Sequence, residues 1–380
     1  MQEKIHKPRV IFSVTNCICY DQRILKMAAV VTDLGADVTI VGREKDDCTC
    51  NNSVQFTTRR FKMLFKKGFL FYKFYNLRLL FYLFFHRCDL LVSNDLDTLL
   101  PNFIVSKVKG IPLVYDSHEY FTGVPELNGR PFVRWVWTTI ERLIFPRLKN
   151  VLTVSEPISL LYEKLYRLKP LVVRNCSKRS DHILPFSRKE LAIPEDDLLI
   201  ILQGGGLNID KGAEELVEAV NMTEKVSVLI AGGGDIMGDL KVMVAKLKLE
   251  LKVIFVQKVP WDILMRYTRS ADVGMCLEKD TNLNYRFSLA NKLFDYISAG
   301  LPVIASDLPE VSKIISENNC GIILSSVTPA EIARALTLLH QNRDLLKVLR
   351  QNSQTTAGLL NWDIESVKVR EFYSNILDRQ

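Results

Sequence analysis

The chain lacks any uninterrupted apolar run approaching the ~18 to 20 residues that a membrane-spanning helix needs. Its first residues, MQEKIHKPRV, lack the apolar core of a secretory signal, which predicts a cytosolic protein. Eight cysteines are too few and too irregularly spaced for a secreted disulfide framework, so Cys17, Cys19, Cys48 and Cys50 read as reduced thiols. There is no low-complexity tract and no short-period repeat. Apolar and charged fractions of 48% and 24% exclude disordered and collagen-like classes.

What is present is length and alternation. At 380 residues the chain is long enough for two ordinary domains with separate cores. From Arg9 onward, short β-branched runs alternate with helical patterns, the signature of βαβ units and a parallel sheet. RVIFSVT, DVTIVG, DLLVSND, PLVYDSHE, NVLTVSE and PLVVRN are the strand candidates of the first half. The second half offers LLIILQGG, VSVLIAGG, KVIFVQ, DVGMCLE, LPVIAS and CGIILSS. Between them, the polar stretch from Asn175 to Leu198 reads as the interdomain linker. The expected fold class is α/β, with two doubly wound, Rossmann-like parallel-sheet domains at 1–175 and 176–360. A separate amphipathic helix over 361–380 is expected to bury Ile364, Val367, Phe372 and Ile376.

The net charge of +7 is moderate, but Arg59 to Arg87 interleaves cations with phenylalanine, tyrosine and leucine. An interfacial helix pair here would set aromatics among headgroups and cations against anionic lipid. Packing of the same aromatics inside the first domain, with the cations as its rim, is the alternative.

In SLANKLFDYISAGLPVIASD, Ser288 to Asp307, a helical projection gathers Ser288, Asn291, Lys292 and Asp295 in one sector. Leu289, Leu293, Tyr296 and Ile297 fall opposite. Ser288 suits the N-cap and Gly300 the C′ position. A first turn with free amides, plus Lys292, would favour an anion such as a diphosphate, and Asp295 could accept from ribose hydroxyls. A solvated surface face is the plain alternative. The loop LQGGGLNIDKG, with Gly205, Gly206 and Lys211, allows close backbone approach to a phosphate.

The first domain has no G-x-G-x-x-G, so a nicotinamide site is not expected. Asp116, His118 and Glu119 sit at the carboxyl end of a strand, where ligands collect in doubly wound sheets. Asp95-Leu96-Asp97 reads as helix capping rather than a metal pair, and no metal is assigned.

NYRFSLANKLFDYISAGLPVIAS resembles the nucleotide-sugar segment of the retaining glycosyltransferase family 4, whose GT-B fold sets two Rossmann-like domains across a cleft. The C-terminal helix of that fold crosses back to the first domain. The resemblance covers nearly the whole chain. It implies a ribose-binding carboxylate at Asp295, with Phe287 standing where a second glutamate is usual. It also implies a leaving diphosphate held at Lys211, with Gly206 in place of the usual arginine. His118 becomes the catalytic candidate beside the donor sugar. Gly233 in AGGGD lies near the nucleotide, and Gln257, Lys258 and Val259 flank the base. Asn16, Asp21, Arg23, Asp95 and Glu119 fall on the acceptor side, with Asn94 and Asp97 beside them.

The activity implied is transfer of a hexose-type sugar from a nucleotide-diphosphate sugar to a saccharide or lipid-linked acceptor. The setting implied is cell-surface polysaccharide or lipopolysaccharide synthesis, with net retention, without metal or other cofactor and without nucleic acid. A nucleotide-sugar epimerase of the same architecture is the enzymatic alternative. An inactive nucleotide-sugar-binding partner of another transferase is the non-enzymatic one.

Overall fold

The computed structural model describes residues 7–44 and 56–378. The chain divides into two units, 1–174 with 365–380, and 175–364.

The first unit holds seven parallel strands: β1 (Arg9–Ser13), β2 (Asp37–Arg43), β3 (Thr57–Phe61), β4 (Leu90–Asn94), β5 (Leu113–Ser117), β6 (Asn150–Thr153) and β7 (Leu171–Val172). Their order is β3-β2-β1-β4-β5-β6-β7. Runs such as Leu90–Asn94 and Leu113–Ser117 are buried throughout, as strands covered on both faces must be. Asp21 caps helix Gln22–Asp33 by accepting from the Ile24 amide at 3.2 Å. Helices Gly68–Phe85, Leu96–Lys109 and Pro131–Ile144 pack in sequence, the second touching both others.

The basic aromatic segment is thus one helix, not a pair. Arg59 and Arg60 belong to β3, an edge strand whose alternating TTRRF pattern is half exposed.

The C-terminal helix, Trp362–Leu377, packs on the first unit from Glu365 onward. Its buried side is Trp362, Glu365, Val369, Tyr373 and Ile376, and Ile364 and Val367 are exposed. The correction follows from spacing: intervals of three, four, four and three keep the first set on one face, and Ile364 and Val367 rotate out of it. Tyr373 lies 6.4 Å from Phe12 between ring centroids, and Glu365 accepts from the Arg174 amide at 3.1 Å.

The second unit holds six parallel strands in the order β10-β9-β8-β11-β12-β13. These are β8 (Leu198–Gly204), β9 (Val226–Gly232), β10 (Val253–Val256), β11 (Val273–Cys276), β12 (Val303–Ser306) and β13 (Gly321–Leu324). Residues 175–197 are no linker but part of this unit. Ser177 donates to Asp295, Ser180 donates to the Ser298 carbonyl at 2.8 Å, and Arg188 pairs with Asp272 at 2.5 Å.

Cys17 and Cys19 are disulfide-bonded, against the expectation of reduced thiols. Cys48 and Cys50 lie outside the described residues, and Cys88, Cys176, Cys276 and Cys320 are buried and outside any disulfide. Among the described residues, no helix is long and apolar enough to cross a membrane.

Candidate functional site

In the second unit the candidate residues gather at the carboxyl ends of β8 to β11. The loop after β8 and the loop after β9 are knitted by backbone hydrogen bonds: Leu207 N donates to Gly233 O at 2.7 Å and Gly233 N to Gly204 O at 3.3 Å. This closeness demands glycine at 232, where φ is +130° and a Cβ would stand 1.9 Å from Gly204 O. Gly206 faces open space, its nearest prospective neighbour being Asn208 Nδ2 at 3.9 Å. A cavity of about 370 Å³ beside these loops is lined by Gly233, Gln257 and Lys258 together with Lys241 and Phe255.

The helix bearing Asp295 is Asn291–Ser298, with Ala290 as its N-cap. Ser288 is not that cap. It closes a separate short helix, Leu283–Phe287, and its Oγ donates to the Tyr285 carbonyl at 3.2 Å. Gly300 takes the C′ position at φ +71°, with the Leu301 amide donating to Tyr296 O at 2.9 Å. No solvated face runs along this helix, since Lys292 through Ile297 are all buried. Leu289 is buried before it, and Asn291 Oδ1 accepts from Asn175 Nδ2 at 2.7 Å.

Asp295 is 8% exposed, and its carboxylate is held from three sides. Oδ1 accepts from Ser177 Oγ at 2.5 Å and Trp261 Nε1 at 3.1 Å, and Oδ2 accepts from Gln203 Nε2 at 2.8 Å. Gln203 ends the buried run of β8, directly before the glycines.

Lys292 pairs with Glu278 at 2.7 Å, deep in the unit. Burial would raise the Glu278 carboxyl, but Lys292 and then Lys211 hold it below the ordinary range. Lys211 Nζ also lies 5.7 Å from the centre of the Tyr285 ring. Lys292 is thus the partner of Glu278, and the charge it offers an anion is partly neutralised.

The sequence reading missed Ser177, Gln203, Trp261 and Glu278. A buried glutamine closing an apolar strand, and a glutamate two residues past β11, were the available signals.

In the first unit, Asp116, the last residue but one of β5, is the hub of a buried charge cluster. Arg23 donates to it through Nε at 2.9 Å and Nη2 at 2.6 Å, and gives Nη1 to the Val173 carbonyl at 2.8 Å. This bidentate pair is 2% and 1% exposed. Burial would raise Asp116, but Arg23 and His118 hold it far below the ordinary carboxylate range. Arg23 thus makes a local ion pair, and Asp21 caps its helix.

His118 stands between two carboxylates. Its Nδ1 lies 3.4 Å from Asp95 Oδ2, its Nε2 lies 3.3 Å from Asp116 Oδ2, and its amide donates to Asp95 Oδ1 at 2.9 Å. Burial alone would lower the imidazole, but Asp95 and Asp116 raise it to about 9. Asp95 holds this place with φ +60°, a strained backbone for a residue with a Cβ, as functional positions often show.

Asp97 instead accepts from Thr15 Oγ1 at 2.5 Å, and burial, with the neighbouring Asp95 charge, pushes it up to about 8. Asn94 donates from Nδ2 to Ser13 O at 3.0 Å. Among the described residues no three His, Cys, Asp or Glu side chains gather as a metal-ligand set. Asn16 is exposed and Glu119 half-buried, and the Glu119 backbone carbonyl accepts from Ser117 Oγ at 2.8 Å.

Comparison with known proteins places two family models end to end on the chain. Glycosyltransferase Family 4 matches residues 22–176, and Glycosyl transferases group 1 matches 185–356. An uncharacterized glycosyltransferase of Methanocaldococcus jannaschii is 22% identical over 63% of this chain and 61% of its own length. Chitobiosyldiphosphodolichol beta-mannosyltransferase of Candida albicans is 24% identical over 45% of this chain. There the match spans 35% of the relative's length, so both curated relatives are covered over less than two thirds. Among solved structures, sucrose-phosphate synthase from Thermosynechococcus elongatus has a TM-score of 0.80 at 16% identity, covering 98% of this chain and 100% of that one. Anabaena HepE in complex with UDP and glucose has a TM-score of 0.77 at 15% identity, covering 97% and 100%. At these identities the structures speak for the fold, two Rossmann-like parallel-sheet domains of GT-B type.

Proposed function

Because the chain belongs to the family 4 glycosyltransferases of GT-B fold, we propose that it transfers a hexose-type sugar from a nucleotide-diphosphate sugar to a saccharide or lipid-linked acceptor. The observation that carries this reading is the pair of interlocked glycine loops after β8 and β9, with open space at Gly206 and Lys211 following in the same loop.

A departing diphosphate brings negative charge that preorganised cations stabilise without reorganisation. Lys211, half-buried before helix Ala213–Asn221, is the residue assigned to it. Lys292 contributes to the extent that the phosphate draws it from Glu278. Asp295 takes the ribose hydroxyls, alongside or in place of the weakest of its present donors, the 3.1 Å bond from Trp261. The cavity lined by Gly233, Gln257 and Lys258 receives the base. HepE, of the same fold, has been crystallised with UDP-glucose, which supports a nucleotide-sugar donor here.

The first unit handles the acceptor. His118, flanked by Asp95 and Asp116, serves there as a fixed cation beside the reacting sugar, not as a base. Retention and independence of metal are part of this proposal. So is a setting in cell-surface polysaccharide or lipopolysaccharide synthesis, peripheral to a membrane through the 59–87 segment. WaaG, a fold neighbour described as involved in lipopolysaccharide biosynthesis, supports that setting. Cytoplasmic placement belongs to the same reading, and the disulfide-bonded Cys17 and Cys19, rare in reducing compartments, weigh against it.

The test is release of nucleoside diphosphate from candidate donors, with and without a lipid-linked saccharide. Acceptor-dependent release supports transfer. Conversion of the donor without acceptor would favour the epimerase, and donor binding without turnover an inactive binding partner.

A further inference from the structure

The exposed apolar side chains of the first unit are concentrated on three packed helices. Helix Gly68–Phe85 is apolar nearly all round: Phe71, Tyr75, Leu79 and Leu83 are buried, whereas Leu70, Phe74, Leu77 and Phe81 stay exposed at helical spacing. Such helices normally sit in a core or against lipid. Just before it, Leu64 is 95% exposed, and Phe65 stacks on Phe74 at 5.4 Å. The neighbouring helix Leu96–Lys109 leaves Leu100, Ile104 and Val108 exposed along one side.

The third helix, Pro131–Ile144, meets the first through an edge contact of Trp137 on Tyr72 at 5.3 Å. Beyond that contact it exposes Phe132 and Trp135, at 67% and 63%, stacked at 6.0 Å.

The exposed charge on these three helices has one sign, the acid of the second, Asp97, being buried. From 59 to 87 there is no Asp or Glu, and the one acid of the third helix, Glu141, is buried and accepts from Tyr166 Oη at 2.6 Å. Arg130 and Arg134 flank Phe132, as Lys66 and Lys67 flank the start of the first helix. Lysines among exposed aromatics do not suit the core of a protein interface, where lysine is depleted. They suit a bilayer, whose interior takes the rings and whose anionic headgroups take the cations.

We propose that the three helices form one continuous membrane-docking face for an anionic phospholipid bilayer, with Phe132 and Trp135 as a second insertion point. This extends the peripheral placement offered above, and it rests on the transferase reading only for the presence of an acceptor in that bilayer. The face adjoins the carboxyl end of the sheet: Asn76 Nδ2 donates to the Asp97 carbonyl at 2.9 Å, two residues from the strained Asp95 that holds His118. An acceptor headgroup would thus emerge beside the charge cluster.

Flotation of the full chain with phosphatidylcholine vesicles, with and without phosphatidylglycerol, tests this. Wild type is expected to partition at least about tenfold better with phosphatidylglycerol, since each cation near the surface contributes. The Phe132→Ser/Trp135→Ser double variant is expected to lose about tenfold with an unchanged melting temperature, because both side chains are exposed. Quenching of tryptophan emission by brominated lipid should fall sharply in Trp135→Phe. A double variant that floats like wild type, or a wild type that floats with neither vesicle, would overturn the proposal. Nucleoside-diphosphate binding measured on the same samples separates the two readings: vesicle binding without nucleotide binding retires the donor site and leaves the docking face standing.

Discussion

Lys292 Nζ lies 2.7 Å from Glu278 Oε1, with the two side chains only 7% and 6% exposed. Removing one partner of such a pair strands the other charge in the core, at a cost of about 3–5 kcal/mol. Glu278→Ala is expected to melt well below wild type, and Glu278→Leu/Lys292→Met to recover most of the loss. The sign with pH follows from the lowered Glu278 carboxyl: its stabilisation is present above the ordinary carboxylate range and fades as pH falls through its depressed value. Thermal melts of wild type and Glu278→Ala should therefore converge in acid. Equal melting of single and double variants would contradict the pairing.

The first unit should lose stability as pH rises. His118 is raised to about 9, so its contribution is complete below the unfolded value of about 6.5 and is lost as pH climbs through 9. Asp97, raised to about 8, acts in the same direction between about 4 and 8, because the folded state keeps its proton longer. Urea unfolding across pH 6 to 9.5 is expected to show this decline, with about 3 kcal/mol as the order of the His118 part. Asp97→Asn should flatten the lower part of the profile and His118→Asn the upper part. A level profile in wild type would refute both assignments.

Arg23 and Asp116 form the other buried pair. Arg23→Met leaves Asp116 beside His118 alone and is expected to cost about 3–5 kcal/mol. Arg23→Lys should restore little, since a lysine cannot reproduce the two-pronged contact. Chemical denaturation measures this. A fully stable Arg23→Met would contradict a stabilising role for the pair.

Two glycines of one site should respond in opposite ways. Gly206 has room for a side chain, and Gly206→Arg places a guanidinium where the family resemblance expects one. Diphosphate affinity should rise several-fold by calorimetry. Gly232→Ala would drive a Cβ to 1.9 Å from Gly204 O and should abolish nucleotide binding. Indifference at 232 would mean that the two loops do not have to interlock.

All twelve strands expected from the sequence are present, because most of them are buried parallel strands that read as apolar runs, and even the less buried β7, β10 and β13 keep that apolar character. β3 escaped because TTRRF is an exposed edge whose side chains carry charge. The Asp295 helix was visible as a pattern but not its start, since Ser288 closes a separate short helix instead of opening this one. The partners of Asp295 lie 34 to 118 residues away in the chain, and no local spacing reports them. For the same reason Ser177 read as linker and the pairing of Lys292 with Glu278 went unseen.

The central claim is that the second unit grips a nucleoside diphosphate through Lys211 while Asp295 holds its ribose. Calorimetric titration of wild type with a nucleoside diphosphate and its 2′,3′-dideoxy analogue tests both halves, with Lys211→Ala as the companion variant. The account predicts one site per chain, about tenfold weaker binding without the hydroxyls, and at least the same loss in Lys211→Ala. Equal affinity for the two nucleotides, together with undiminished binding to Lys211→Ala, would contradict it.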